Sequence, residues 1–163
     1  MYYCYLETTI GDLLLAGDED GLSLIGFPEG AMRHEPETEW IFNEKPFARA
    51  REQLTAYFTG ELKAFDLDLK PTGTEFQLEV LEELQKIPYG TTVSYKDIAD
   101  RIGRPKAVRA VGAANGRNPI PIVIPCHRVI GASGDLTGFG GGLPTKEALL
   151  RLELENSQFQ SSS

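Results

Sequence analysis

The chain has 163 residues, of which 41% are hydrophobic and 25% are charged, and its formal net charge is −8 at pH 7. This composition indicates a globular protein with a sizeable core, in one domain or in two small ones. No run approaches the about 20 apolar residues of a membrane span, and the first residues lack the pattern of a signal peptide. The 2 cysteines exclude a disulfide framework, so a cytoplasmic location is expected.

The charge is distributed unevenly along the chain. Residues 1–85 hold 6 Lys and Arg against 18 Asp and Glu, whereas residues 86–131 hold 8 against 2. A negative total disfavours binding to a polyanion, but the local field matters more than the total. The segment 86–131 is therefore the part that we expect to contact nucleic acid.

Residues 1–70 are predicted to form a small α/β domain. Strands separated by glycine-containing turns predict a β-meander over residues 1–27. A short element around Trp40, a helix over 47–58 and a strand over the alternating segment 65–69 follow. This half carries no constellation of chemically active side chains, so we predict a structural role for it.

A linker at 70–74 leads to a second domain, 75–157, that is predicted to be mainly α-helical and to end in a tail, 158–163. The predicted helices lie at 76–87, 95–102, 105–115 and 146–155. Thr74 and Ser94 are suited to cap the first two helices. Two short helices joined by a turn that contains Gly103, inside the basic segment, predict a helix-turn-helix.

The second helix of this motif is poor in bulky side chains. Val108 and Val111 are expected to face the core, and Arg109 is the only long side chain near the middle of another face. A helix that reads base edges usually carries several polar side chains. We therefore expect DNA binding with little sequence specificity. Close helix–helix packing through small residues is the alternative.

The segment 119–131 places a cysteine beside a histidine. Its β-branched run, bounded by prolines, predicts a strand or extended segment that leaves any sheet at Cys126. A thiol next to His127 and Arg128 can be activated as a nucleophile, although free cysteines are also common as small buried residues. Glu153 falls on the apolar face of the last helix and needs a partner, either a structural one or His127.

Several motifs together resemble the O6-alkylguanine-DNA alkyltransferase family. They are Val-Ser-Tyr at 93–95, Pro-Lys-Ala-Val-Arg-Ala-Val-Gly at 105–112, Asn-Pro at 118–119 and Pro-Cys-His-Arg-Val at 125–129. The resemblance covers residues 76–153 and implies DNA repair by irreversible, single-turnover transfer of an alkyl group from O6 of guanine to Cys126. O4 of thymine is a further candidate donor. A cysteine hydrolase and a non-turnover sensor of alkylated DNA are alternatives, and sensors of this family lack the cysteine.

The resemblance also implies the roles of individual residues. Cys126 accepts the alkyl group, His127 acts as its base through a bound water, Glu153 orients His127, and Tyr95 donates to the purine. The base is flipped out of double-stranded DNA, which the helix-turn-helix contacts through the minor groove while Arg109 fills the base stack. The implied DNA contacts are Ser94, Tyr95, Lys106, Arg109, Ala110, Gly112, Ala113 and Arg128. The implied substrate pocket comprises Asn118, Pro121, Val129, Phe139, Gly140, Gly141 and Lys146.

Two departures from the family pattern lead to further predictions. Phe139-Gly140 stands where Tyr followed by Ser or Ala is frequent, which predicts tolerance of adducts larger than methyl. Some relatives carry zinc in the N-terminal half, but Cys4 alone does not make a closed site. We therefore predict no metal and no cofactor, and a monomer whose cooperativity on DNA the sequence leaves open.

Overall fold

The structure, a computed structural model, describes residues 1–30, 33–131, 134 and 142–161, with side chains as far as residue 157. A four-stranded sheet forms the N-terminal part, in the order β3-β2-β1-β4. Its strands are β1 (Tyr2–Thr8), β2 (Gly11–Asp18), β3 (Gly21–Gly26) and β4 (Ile41–Phe42). The first three pair antiparallel, which confirms the meander, and β4 pairs parallel to β1.

Helix α1 (Ala48–Phe58) covers this sheet and begins directly after a 3-10 helix, Lys45–Phe47. Its apolar residues recur at helical spacing, so Ala50, Leu54 and Tyr57 are all buried on one face. This placement confirms the helix that was predicted over 47–58, apart from the 3-10 turn at its start.

The predicted strand at 65–69 was wrong. Only Leu69 forms a bridge, to Leu22 at the start of β3. The side-chain amide of Gln53 takes up the backbone groups of Asp66 instead: it accepts from the Asp66 N–H at 2.9 Å and donates to the Asp66 carbonyl at 3.0 Å. A helix side chain thus satisfies backbone groups that a neighbouring strand would otherwise have to pair.

The C-terminal part is mainly helical, so the predicted fold class is confirmed. Its elements are α2 (Glu75–Leu84), β5 (Val93–Ser94), α3 (Tyr95–Arg101), α4 (Val108–Gly116), β6 (Val129–Ile130) and α5 (Leu143–Ser161). Thr74 and Ser94 both form complete capping boxes, which fixes the starts of α2 and α3. Helix α5 runs past its predicted end and into the predicted tail. The division into 1–70 and 75–157 stays a prediction.

Helices α3 and α4 form the predicted helix-turn-helix, and α4 packs against α2 and α3. Gly103 has a φ of 76° in the turn between α3 and α4, as expected for the residue after a helix. Helix α4 starts three residues later than predicted, because residues 104–107 form a turn in which the Ala107 N–H donates to the Arg104 carbonyl at 2.9 Å. The core position predicted for Val108 was wrong, since 36% of that residue is exposed, whereas Val111 is fully buried.

One hydrophobic core joins the two parts of the chain. It includes Leu54 and Tyr57 from α1 together with Leu84 of α2 and Leu149 of α5. The site described below lies where these helices meet. No helix in the described ranges is long and apolar enough to cross a membrane.

Candidate active site

The segment before Cys126 is a compact buried turn rather than the predicted strand. The Asn118 side chain closes this turn: its Oδ1 accepts from the Ile120 N–H at 3.0 Å, and its Nδ2 donates to the Ile124 carbonyl at 2.8 Å. Ile122 at the tip has a φ of 76°, a left-handed conformation that β-branched residues rarely adopt. The apolar run therefore serves to hold a strained turn in the core.

A 3-10 helix, Cys126–Arg128, follows this turn and is anchored on its far side by a short parallel pairing. Val129 in β6 pairs with Val93 in β5, and Ile130 pairs with Ser94. Because Ser94 also caps α3, the pairing places the start of the helix-turn-helix directly beside the cysteine turn. A second link comes from α4, where Asn115 Nδ2 donates to the Cys126 carbonyl at 3.4 Å.

Cys126 is fully buried, and it is a free cysteine that forms no disulfide with the other described cysteine, Cys4. Burial raises the pKa of its thiol to about 11, although the Asn118 side chain and the charge of Lys146 act in the opposite direction. Lys146 is itself buried, its Nζ donates to the Val129 carbonyl at 2.7 Å, and burial lowers its pKa. The thiol is therefore neutral at rest and requires a base to become a nucleophile.

His127, the next residue in the 3-10 helix, is the candidate for that base. Its Nε2 is 2.6 Å from Oε2 of Glu153, and both side chains are almost wholly buried. Burial lowers the pKa of His127, against the opposing effect of Glu153, so the ring is neutral and donates its Nε2 proton to the carboxylate. Nδ1 is then the unprotonated nitrogen, and it makes no hydrogen bond to any residue that the structure describes.

Glu153 is the centre of a buried hydrogen-bond network. Its two oxygens accept from Tyr57 Oη at 2.6 Å, His127 Nε2 at 2.6 Å, Arg128 Nε at 2.8 Å, Arg128 Nη2 at 3.1 Å and the Gly90 N–H at 3.1 Å. Burial alone would raise the pKa of this carboxyl, but His127 and Arg128 outweigh it and hold the pKa at about 2. The carboxylate is therefore charged at any physiological pH.

Arg128 occupies a different place from the DNA-contacting surface that the resemblance implied. Its side chain is 7% exposed and pairs with Glu153, and its Nη1 donates to the Ile87 carbonyl at 2.7 Å. A guanidinium in that position balances a buried charge and lies below the surface that a phosphate could contact. We therefore remove Arg128 from the candidate DNA contacts.

Sequence reasoning missed Tyr57, which lies in the half that was predicted to be purely structural. The residue is fully buried on α1, yet its hydroxyl reaches Glu153. A buried tyrosine hydroxyl needs a hydrogen-bond partner, so a tyrosine on the apolar face of a helix was the available signal. The half that was predicted to be structural thus contributes one side chain to the hydrogen-bond network of Glu153.

The implied DNA contacts other than Arg128 all come from the segment 94–113, which contains α3 and most of α4. Those that are exposed are Lys106, Arg109, Ala110 and Ala113, while Ser94, Tyr95 and Gly112 are half-buried. Gly112 lies against the Tyr95 ring, where an added Cβ would be 3.8 Å from Cδ1. Small residues thus leave the backbone of α4 open to close approach.

The implied pocket residues are only partly covered by the structure. Asn118, Pro121, Val129 and Lys146 are all buried around the cysteine turn. Phe139, Gly140 and Gly141, on which the prediction about adduct size depends, lie outside the described residues. Within the described ranges, no group of three or more His, Cys, Asp or Glu side chains could hold a metal ion.

Comparison with known families gives matches over both parts of the chain. The model described as "6-O-methylguanine DNA methyltransferase, ribonuclease-like domain" matches residues 1–71, and that described as "6-O-methylguanine DNA methyltransferase, DNA binding domain" matches residues 75–155.

Individual relatives match nearly end to end. A methylated-DNA–protein-cysteine methyltransferase of Methanosarcina acetivorans is 56% identical over 153 residues, which are 94% of this chain and 98% of the relative. The crystal structure of Mycobacterium tuberculosis OGT in complex with DNA has a TM-score of 0.90 and 49% identity, and covers 96% of this chain and 94% of that one. A structure from Pyrococcus kodakaraensis, at 21% identity and a TM-score of 0.55, shares the fold.

Proposed function

The chain belongs to the 6-O-methylguanine DNA methyltransferase family, and on that premise we propose that it repairs DNA by moving an alkyl group from O6 of guanine to the sulfur of Cys126. Each molecule acts once, because the product is a stable thioether. We assign these roles to Cys126, His127 and Glu153 on one observation. A neutral His127, hydrogen-bonded to Glu153, directly follows the cysteine in a buried relay.

The relay supplies the thiolate. Glu153 holds Nε2 of His127 protonated, so Nδ1 is free to receive the thiol proton through a water molecule. The positive charge that develops on the imidazole lies 2.6 Å from the carboxylate, which stabilises it. Lys146, whose charge favours ionisation of the Cys126 thiol, stabilises the thiolate that forms.

The transfer is a single displacement at carbon. The thiolate attacks the alkyl carbon, the carbon–sulfur bond forms, and the carbon–O6 bond breaks with its electrons moving to the purine. The purine then takes up one proton, for which we propose the half-buried Tyr95 hydroxyl at the start of α3 as the donor. His127 then releases its extra proton to water, and the Tyr95 phenolate regains one from water. The net products are therefore an S-alkyl cysteine and unmodified guanine.

Alkylated double-stranded DNA is the substrate, and its binding is proposed to use the exposed side of α4. Arg109 projects from a face that is otherwise made of small residues, so the helix can enter a narrow groove while Arg109 occupies the position of the extruded base. This geometry favours minor-groove binding with little sequence preference. Cys126 is fully buried, so the proposed transfer requires that the extruded base gains access to its sulfur.

A single-turnover transfer assay tests the proposal. The parent, Cys126→Ala and Cys4→Ala are each incubated with duplex DNA that contains O6-methylguanine, and the intact protein mass is followed. Cys4 is the matched control because it is also fully buried, with a pKa that burial raises to about 11, but it lies on β1. We expect one methyl group on the parent and on Cys4→Ala, and none on Cys126→Ala.

Two results would contradict this function. Release of methanol with many turnovers for each protein molecule would instead support a cysteine hydrolase. Tight binding of alkylated DNA without any gain in mass would support a sensor. We also propose a cytoplasmic location, which is consistent with two buried, unpaired cysteines.

A further inference from the structure

The hydroxyl of Tyr57 contacts the same carboxylate oxygen as the imidazole of His127. Tyr57 Oη donates to Oε2 of Glu153 at 2.6 Å, His127 Nε2 donates to that oxygen at 2.6 Å, and the hydroxyl lies 3.5 Å from the imidazole nitrogen. Tyr57 is fully buried on α1, and 96 residues separate it from Glu153. An oxygen that accepts two short hydrogen bonds shares its charge between both donors.

We propose that Tyr57 is a positioning residue for alkyl transfer, and that its hydrogen bond to Glu153 keeps His127 neutral and ready to accept the thiol proton. The inference rests on the proposed function and assigns to the N-terminal half a part in the chemistry. The hydrogen-bond partners of the Tyr57 hydroxyl in the described part of the chain are Glu153 and His127, so we propose that it acts through them.

The direction of the effect follows from competition for one oxygen. When Tyr57 donates to Oε2, less of the carboxylate charge is available to stabilise an imidazolium at Nε2. Loss of the hydroxyl leaves more of that charge for the other two donors to Oε2, His127 Nε2 and Arg128 Nη2, so His127 then holds a proton more tightly. A protonated His127 has a hydrogen on both nitrogens and accepts nothing from the thiol.

Other charged and titratable groups also face this pair. Cys126 and Arg128 adjoin His127 in the 3-10 helix, Lys146 and Glu153 come from α5, and Tyr89 comes from the turn after α2. Arg128 and Lys146 oppose protonation of His127, and both stay in place when only the Tyr57 hydroxyl is removed. The substitution Tyr57→Phe therefore isolates the contribution of one hydrogen bond.

Nitrogen-15 NMR of the histidine rings measures the effect directly. The chain has 2 histidines, so in Tyr57→Phe the pKa of His127 can be followed while exposed His34 serves as an internal reference. We expect the pKa of His127 to rise by about 0.5 to 1. Tyr89→Phe is the matched control. The ring centre of Tyr89 lies 6.2 Å from that of Tyr57, and the Tyr89 hydroxyl makes no hydrogen bond to Glu153 in the described part of the chain.

Single-turnover transfer from O6-methylguanine DNA, measured across pH, gives the functional readout. In Tyr57→Phe the acid limb of the pH–rate profile shifts to higher pH by the same amount as the pKa of His127. The transfer rate at a pH below that limb therefore falls by about 3- to 10-fold. The plateau at higher pH stays within about threefold of the parent. A merely structural role would lower the rate at every pH and leave the position of the limb unchanged.

A fluorotyrosine at position 57 tests the same idea with the opposite sign, and it keeps the hydroxyl if Tyr57→Phe does not fold. Its more acidic hydroxyl donates more strongly, so we expect the pKa of His127 to fall. An unchanged pKa of His127 in folded Tyr57→Phe, or an equal rise in Tyr89→Phe, would overturn the inference. The NMR readout needs no DNA, so it separates failure of this inference from failure of the proposed function.

Discussion

Arg128 and Glu153 form a two-point ion pair in the interior, with Nε 2.8 Å from Oε1 and Nη2 3.1 Å from Oε2. The guanidinium fork matches the carboxylate and also reaches a backbone carbonyl, which leaves neither charge without a partner. The motif Pro-Cys-His-Arg-Val thus carries, beside the proposed nucleophile and the proposed base, the counter-charge of the carboxylate that contacts His127.

Arg128→Lys should destabilise the protein without weakening its contacts to DNA phosphates. A lysine offers a point charge in place of the fork, so we expect a loss of about 2 to 4 kcal/mol in the free energy of unfolding, measured with urea. The salt dependence of DNA binding by the folded variant should equal that of the parent. Lys106→Ala is the comparison, because removal of an exposed cation should lower that slope by about 0.9 if it contacts a phosphate. A lower slope in Arg128→Lys would return Arg128 to the DNA-binding surface.

Glu153→Gln should slow alkyl transfer by at least about 100-fold, because a neutral amide stabilises no imidazolium and can hold the ring in the wrong tautomer. Removal of the buried negative charge should also cost about 3 to 5 kcal/mol of stability, since Arg128 is left unpaired. Single-turnover rates and urea unfolding measure the two effects. Glu155→Gln, at an exposed position on the same helix, should change neither quantity. A transfer rate in Glu153→Gln equal to that of the parent would exclude the proposed relay of His127 and Glu153.

The stability of the protein should fall with acid over two pH ranges, both of which originate in the buried pair of His127 and Glu153. The pKa of His127 is lowered by folding, so the unfolded chain binds the proton more tightly and stability falls as the pH drops below about 6.5. The pKa of Glu153 is lowered from 4.5 to about 2, so its contribution is present above pH 4.5 and is lost as the pH falls towards 2. That difference of about 2.5 corresponds to about 3 kcal/mol. Urea midpoints between pH 7 and pH 3 test this, and Glu153→Gln should flatten the fall over the lower pH range.

Gly90→Ala should be more damaging than Gly103→Ala, although the two glycines have φ values of 75° and 76°. At Gly103 no atom lies within 4 Å of an added Cβ, so only the backbone strain of about 1 kcal/mol is expected. At Gly90 the Cβ would lie 2.1 Å from Ser157 Oγ and 3.0 Å from its Cβ, and the turn also donates to Glu153. We expect a larger loss of stability and a slower transfer in Gly90→Ala. Equal thermal midpoints for the two variants would contradict the packing described for this turn.

Ile122→Gly should destabilise the protein despite relieving its backbone. A left-handed φ costs a β-branched residue about 1 to 2 kcal/mol, whereas removal of a fully buried isoleucine side chain costs about 3 to 5 kcal/mol. The difference predicts a net loss of about 1 to 4 kcal/mol in urea unfolding. A more stable variant would indicate that the backbone strain at Ile122 costs more free energy than the packing of its side chain contributes.

The sequence predicted most elements because their signals are local. The turns of the meander, the capping boxes at Thr74 and Ser94 and the spacing of apolar residues in α1 each act within a few residues. The errors arise where a distant side chain replaces a regular backbone pairing. Gln53 does so for the segment 65–69, and Asn118 does so for the turn before Cys126.

The candidate site was predictable where one motif holds adjacent residues, and less so where the chain folds back on itself. Cys126 and His127 are neighbours in sequence, and Glu153 was marked by its place on an apolar helix face. Tyr57 and Gly90 reach the same carboxylate from other elements, and no sequence period relates them to it. Arg128 was misplaced because a cation in a basic segment resembles a phosphate contact until its burial is known.

The carboxylate of Glu153 accepts a hydrogen bond from Tyr57 of α1, in one half of the molecule, and further hydrogen bonds from His127 and Arg128 in the other half. If either half unfolded alone, a buried charge or hydroxyl in the other half would lose its hydrogen-bond partner. Heating should therefore produce a single calorimetric transition. A protein severed within the segment 70–74 should regain that transition only when its two pieces are mixed.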